Sequence, residues 1–275
     1  MSRLRLSFLG PRGTFSEAAA RRVGPDAELI PESSITAVTV AVTEERADEA
    51  VVPIENSLEG SVTETLDLLV HSLDLRIRQE LVLPIEHCLI VPPGADLASI
   101  TTVYSHPQAL AQCRRYLERT LPKAQATATL STAQAVERAL AGSGAAAIAP
   151  RRAAEIHGAA ILAAGVQDDD RNSTRFVVLA KADAAPSGDD KTSIAFNVDD
   201  RPGALVEIMQ RFAAAGVNLT KIESRPARET LGVYVFLLDC NGHRLEPPLA
   251  ALLGELAAGT NWLKILGSYR RFHED

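Results

Sequence analysis

Apolar runs alternate with amphipathic stretches along this chain. Leu4–Leu9, Ala50–Ile54, Thr101–Tyr104, Ala145–Ala149 and Arg175–Ala180 read as strands. Thr14–Arg22, Val62–Val70, Gln108–Arg119 and Ala133–Leu140 read as helices. In the second of these, Val62, Leu66, Leu69 and Val70 share one face, and Ser61 and Glu64 have capping-box spacing. Gln79–Val91 holds apolar runs suited to buried strands. Strand–helix alternation of this kind predicts α/β layers.

The pattern breaks at Ala182–Asp190, where Ala, Pro, Ser, Gly and Asp show no apolar period, so a linker and a domain boundary are expected there. Beyond it, Thr192–Val198 reads as a strand. A helix then carries Leu205, Ile208, Met209 and Phe212 on one face. Val217–Ser224 and Leu231–Cys240 read as strands. A second helix carries Leu249, Leu252, Leu253 and Leu256, and Trp262–Tyr269 closes the chain as a strand. The order β-α-β-β-α-β predicts a ferredoxin-like unit.

Composition narrows the function. The 275 residues allow one large domain or two smaller ones. A net charge of −7 argues against nucleic acid as a partner, and it means an anionic ligand would need local positive potential. No run of about 18 apolar residues is present to cross a membrane, and the N-terminus lacks a signal-peptide pattern. Cys88, Cys113 and Cys240 are odd in number and far apart, which fits a reduced, cytoplasmic protein. The histidines show no metal-ligand spacing, so no zinc site is expected.

Three polar loops share one position. Gly10–Thr14, Glu55–Gly60 and Ser105–Gln108 each follow a predicted strand and precede a predicted helix. Ligands of open α/β sheets bind at such strand ends. Three helix N-termini would also point into that space and favour an anion. Taken singly, Gly10-x-x-Gly13 reads equally as an ordinary turn, Asn56 and Ser57 as helix caps, and His106 as a loop histidine. Asp168, Asp169 and Asp170 read as a solvated turn. Thr174 and Arg175 at the next strand offer a hydroxyl donor and a forked donor matched to a carboxylate.

Taken in order, the motifs resemble those of the prephenate dehydratases of phenylalanine biosynthesis. They are GPRGTFSEAA (10–19), VPIENSLEGSV (52–62), YSHPQALAQC (104–113), NSTRF (172–176), DRPGALVEI (200–208) and ESRP (223–226). The resemblance covers nearly the whole chain. It implies a two-lobed catalytic domain, similar to periplasmic binding proteins, over residues 1–184. Lobe 1 would hold about 1–78 plus 174–184, and lobe 2 about 79–173. An ACT regulatory domain would follow at 191–275.

The implied reaction converts prephenate to phenylpyruvate, water and carbon dioxide, with no cofactor or metal. The resemblance places Thr174 at the leaving hydroxyl, with Glu55 and His106 as competing proton donors, and Asn56 as an orienting partner. It places Arg175 on a substrate carboxylate together with backbone groups near Thr14 and Ser57. Ser105 and Gln112 would orient the substrate, and Phe176 would pack on its ring. L-Phenylalanine would bind as inhibitor between Gly203-Ala204-Leu205-Val206, Asn218 and Glu223-Ser224-Arg225-Pro226, in a homodimer or homotetramer. Met1 runs almost directly into the first strand, which predicts a monofunctional enzyme. Arogenate in place of prephenate stays open as the substrate.

Overall fold

The computed structural model describes residues 3–227 and 234–273. The chain divides into two compact units, residues 1–62 with 82–176, and residues 63–81 with 177–275. Each unit takes two stretches of chain.

The elements of the first half run β1 (Arg5–Leu9), α1 (Phe15–Val23), β2 (Glu28–Glu32), α2 (Ile35–Thr43), β3 (Glu49–Asn56) and β4 (Gly60–Ser61). Then come α3 (Thr63–Asp67), a π-helical turn at Leu68–Ser72, β5 (Arg76–Pro84), β6 (Cys88–Val91) and β7 (Thr102–Ser105). There follow α4 (Pro107–Gln112), α5 (Arg114–Thr120), β8 (Gln125–Ala128), α6 (Thr132–Ala141) and β9 (Ala145–Ala149). Last are α7 (Arg151–His157), β10 (Ala160–Ala164) and β11 (Ser173–Ala180).

The first unit is built on two sheets. In one, β2, β1, β3 and the start of β11 lie side by side in that order, with β4 folded back on β3, and the other has the order β10-β6-β9-β7-β8. In the first, β1 runs parallel to both β2 and β3. In the second, β9 is an unbroken apolar run because helices cover both its faces. Ala145, Ala147 and Ala149 pack with Val136, Ala139 and Ala153 of α6 and α7. Ala146 and Ile148 pack with Ala109, Cys113 and Leu121 on the α4–α5 side.

The second unit carries β12 (Asp190–Asn197), α8 (Ala204–Ala214), β13 (Leu219–Pro226), β14 (Tyr234–Asn241), α9 (Leu249–Gly259) and β15 (Trp262–Arg270). Its sheet has the order β13-β14-β12-β15, antiparallel at each pairing. Ile208 and Phe212 of α8 and the four leucines of α9 pack with Ile194, Phe196 and Leu238 of the sheet, as the two apolar stripes predict. Residues 63–81 belong to this unit through buried polar ties. Lys191 Nζ donates to both Glu80 carboxylate oxygens at 2.8 and 3.0 Å, and Lys264 Nζ donates to the Leu73 carbonyl at 2.7 Å. Gly267, at φ +150°, lies so close to Ile77 that a Cβ would sit 2.2 Å from its carbonyl oxygen.

Several elements differ from the sequence expectation. The helix expected at Val62–Val70 starts at Thr63, five residues long, and passes into a π-helical turn. Ser61 is taken up by the β3–β4 pairing opposite Glu55, so it does not occupy the cap position. The helix expected at Gln108–Arg119 breaks at Cys113, with φ −115° and ψ 15°. The Asp168 carboxylate causes a new helix start there, accepting the backbone N–H groups of Arg115 and Tyr116 at 2.8 and 3.0 Å. Asp168 is therefore a helix cap, not part of a solvated turn. Strands β2, β8 and β10 and helices α2 and α7 had no counterpart in the pattern. Of the strand expected at Leu231–Cys240, residues 231–233 lie outside the described part. Among the described residues no helix is long and apolar enough to cross a membrane.

The segment read as a linker is tied down. Asp183, with a side chain only 7% exposed, pairs with Arg244 and accepts the Ser268 N–H at 3.1 Å. Burial raises the Asp183 pKa, but the Arg244 hydrogen bonds and charge outweigh it and the net shift is downward. The pair's contribution is therefore present above the unfolded carboxylate value of about 3.9 and is lost as pH falls through the lower folded value. Asp183→Asn is expected to lower unfolding stability by about 1–3 kcal/mol at neutral pH, measured by urea denaturation. The gap to wild type should close on acidification.

Candidate active site

A cavity of about 710 Å³ lies in the first unit. Four helix beginnings contribute to its wall. Thr14, Phe15 and Ser16 come from the start of α1, Ser33 and Ile35 from α2, His106, Gln108 and Ala109 from α4, and Ser131 and Thr132 from α6. Pro53 and Asn56 of β3 and Thr174 and Phe176 of β11 form the strand side. Anion binding by helix N-termini was expected, but α3 is not among the contributors and α2 and α6 are. No Lys or Arg is among the lining residues. The helix N-termini among the lining elements each carry a partial positive charge equivalent to roughly half a unit charge.

Local chemistry fixes each helix start. Thr14 caps α1, accepting the Glu17 N–H at 3.3 Å. Glu17 is fully buried and accepts the Gly13 N–H at 2.5 Å, with Arg21 on its other oxygen at 2.9 Å. Gly13, at φ +87°, packs so tightly that a Cβ would stand 3.1 Å from Ala153 Cα. His106 caps α4, its Nδ1 accepting the Gln108 N–H at 3.3 Å. Ser131 caps α6 by accepting the Gln134 N–H.

The Asn56 side chain is the hub of the strand side. Its Nδ2 donates to Asn172 Oδ1 at 2.9 Å, to Thr174 Oγ1 at 3.0 Å and to the Ser173 carbonyl at 3.1 Å. Its Oδ1 accepts the N–H groups of Leu58 and Glu59, which fixes the amide's orientation. Since Asn56 can only donate to Thr174, the threonine keeps its own proton for another acceptor. Thr174 is buried and lines the cavity. Ser57 ties the same strands together, with its N–H on the Ser173 carbonyl and its Oγ accepting the Ser173 N–H, both at 2.9 Å.

The structure gathers Thr14, Asn56, His106, Gln112, Thr174 and Phe176 around one space. Four other expected residues stand off the lining. Side chains alternate along β11, so Arg175 points away from Thr174 and Phe176. Its Nη1 sits 3.5 Å from Glu55 Oε2. The Glu55 side chain is about one-third exposed. Ser57 is exposed, and Ser105 is fully buried with its hydroxyl donating to the Ile148 carbonyl at 2.6 Å.

His87 is a lining residue that the sequence reading passed over, because it lies inside the apolar stretch Gln79–Val91. It is 2% exposed. Burial holds its pKa below the usual imidazole value, with the hydrogen bond to Gln112 acting in the opposite sense. Thus the folded state binds fewer protons than the unfolded chain. Stability falls as pH drops below about 6.5 and levels off once the folded value is passed. The His87 ring signal in an NMR titration of the free protein is expected to move at a pH below that of an exposed histidine.

In the second unit, Gly203, at φ +87°, leads into α8 with Ala204 buried, Leu205 partly buried and Val206 57% exposed. Glu223–Pro226 end the edge strand β13. Phe196 pairs with Phe236 and Phe236 with Ser224, so the end of β12 that leads to Gly203 and the end of β13 lie at the same end of the sheet. Arg225 binds Asp67 of α3 at 3.3 Å and Glu223 at 3.4 Å. Asn218 is exposed just before β13.

Comparison with known proteins matches residues 6–184 to the family model described as prephenate dehydratase. The chain belongs to the prephenate dehydratase family. Residues 192–258 match the ACT domain model. The bifunctional chorismate mutase/prephenate dehydratase of Aquifex aeolicus is 44% identical over 97% of this chain and 74% of its own length. A prephenate dehydratase from Arthrobacter aurescens, solved in complex with L-Phe, superposes with a TM-score of 0.90 at 39% identity, covering 98% of this chain and 90% of that one. GqqA, described as a novel type of quorum quenching acylase, gives a TM-score of 0.88 at 33% identity over 98% of both chains. These relations establish the two-part fold class expected from the motif order, a prephenate dehydratase domain followed by an ACT domain.

Proposed function

We propose that the cavity binds prephenate and that Thr174 donates a hydrogen bond to its ring hydroxyl. The observation that carries this is the Asn56 amide, which occupies the acceptor side of Thr174 Oγ1 and leaves its proton for the ligand. The reaction needs the ring hydroxyl to leave as water while the ring carboxylate leaves as carbon dioxide. Aromatisation of the ring drives both. Helix ends of α1, α2, α4 and α6 hold the carboxylates in a wall without lysine or arginine. Phe176, 2% exposed, packs on the ring and keeps water out. Arg175 and Glu55 act as a paired brace on the back of the strand.

Residues 1–184 form the catalytic domain and 191–275 the ACT domain in this reading. L-Phenylalanine binds the ACT domain between Gly203–Val206 and Glu223–Pro226. It inhibits by favouring the less active arrangement of a homo-oligomer in the cytoplasm.

Thr174→Ala and Asn56→Ala are each expected to lower kcat for phenylpyruvate formation from prephenate by about 10²–10³-fold with folding intact. Thr174→Ser should keep most activity. Near-normal turnover by Thr174→Ala would overturn the assignment. The same wild-type preparation, offered arogenate, separates this reading from the amino substrate. Gly203→Ala strains a left-handed backbone position by about 1–2 kcal/mol. It is expected to weaken inhibition by L-phenylalanine while uninhibited turnover stays close to wild type.

A further inference from the structure

We propose that the Ser16 hydroxyl, together with the backbone N–H groups that open α1, binds the carboxylate of the substrate's pyruvyl side chain, the one that survives into the product. The inference rests on the cavity being the prephenate site, and it assigns one of the two carboxylates to one place in the wall.

Ser16 is only 7% exposed and lines the cavity. A serine inside a helix often turns its hydroxyl back onto the carbonyl four residues earlier. Ser16 makes no such bond, and among the described residues its hydroxyl has no hydrogen-bond partner. Nor is its oxygen one of the sealed, unpaired polar atoms of the interior, such as His87 Nδ1 or Asn172 Nδ2. The hydroxyl therefore keeps open surface, and the space beside it is the cavity. A hydroxyl so nearly buried is costly without a partner, and a ligand in the cavity would supply one.

The backbone around it is arranged in the same sense. Thr14-Phe15-Ser16-Glu17 has capping-box spacing, in which the glutamate ordinarily accepts the N–H of the cap residue. Here Glu17 reaches one residue further back. It accepts the Gly13 N–H at 2.5 Å, while Arg21 holds its other oxygen at 2.9 and 3.0 Å. The N–H groups of Thr14, Phe15 and Ser16 are left without partners among the described residues. These three residues line the cavity at the start of a nine-residue helix, so orphan donors and the positive helix end meet there.

The neighbouring charges do not oppose an anion. Glu17 is paired with Arg21, and Arg12 Nη1 stands 3.8 Å from the same oxygen. The one carboxylate among the described lining residues is Glu137 of α6, which lies 3.9 Å from His157 Nε2. The remaining titratable lining groups are His87 and His106.

The reaction chooses between the two carboxylates. The ring carboxylate gives up its charge as it leaves as carbon dioxide, so donors that grip it hold the reaction back. The pyruvyl carboxylate keeps its charge from substrate through transition state to product. Donors on it bind all three alike and cost the chemical step nothing. A helix N-terminus with an added hydroxyl suits the charge that stays.

The test compares wild type with Ser16→Ala in kcat and KM for prephenate and in the competitive inhibition constant of phenylpyruvate, which retains only the pyruvyl carboxylate. Loss of one hydrogen bond to a charged group is expected to raise KM and the inhibition constant together, by about 10-fold or more. The kcat should stay within about threefold of wild type. Values of KM and inhibition constant both within about twofold of wild type overturn the proposal. A raised KM with an unchanged phenylpyruvate constant also overturns it, because Ser16 would then hold the ring carboxylate. If Ser16→Ala does not fold, ¹⁵N–¹H NMR of the wild type decides. Phenylpyruvate should move the amide signals of Phe15 and Ser16 downfield, and signals that stay in place overturn the inference. Absence of wild-type turnover would instead sink the reading of the cavity.

Discussion

One amide holds the site together. Asn56 lies at the end of β3, and its side chain satisfies groups on β11 and in its own loop, using both donors and its acceptor. Removing the amide would leave buried partners on both strands without their hydrogen bonds, and such orphaned groups are costly. The network also sets direction. It determines that Thr174 donates outward, and it presses the start of β11 against the turn that follows β3.

Much of the fold is legible in the sequence because the apolar periods are strong. The all-apolar β9 and the leucine stripe of α9 are read directly from periodicity, and both are core elements in the structure. The misses have identifiable causes. The break at Cys113 depends on a carboxylate some fifty positions away in sequence, which no local pattern displays. The short strand at Ser61 is a tertiary pairing that overrides a good capping signal. Strand β10, Ala160–Ala164, is mostly alanine, a residue with little strand preference of its own.

The site was legible to a different degree. The motifs located Thr174, Asn56, Gln112 and Phe176, and strand alternation explains why their neighbour Arg175 faces elsewhere. Adjacency in a motif is not adjacency in a pocket. His87 went unnoticed for the opposite reason. Its neighbours in sequence are mostly apolar, and the ring is buried. The only trace in the sequence was a titratable ring set between two strand-forming runs.

The membership of residues 63–81 in the second unit bears on modularity. The family segments lie one after the other in sequence, yet Glu80, Leu73 and Asp67 find partners in Lys191, Lys264 and Arg225. A cut at the tethered segment around Asp183 would leave a buried carboxylate and helix-end carbonyls without their cations. The two halves are thus woven, not beaded. Recombination that exchanges the tail among relatives must carry the 63–81 stretch with it, or find a tail that presents the same cations.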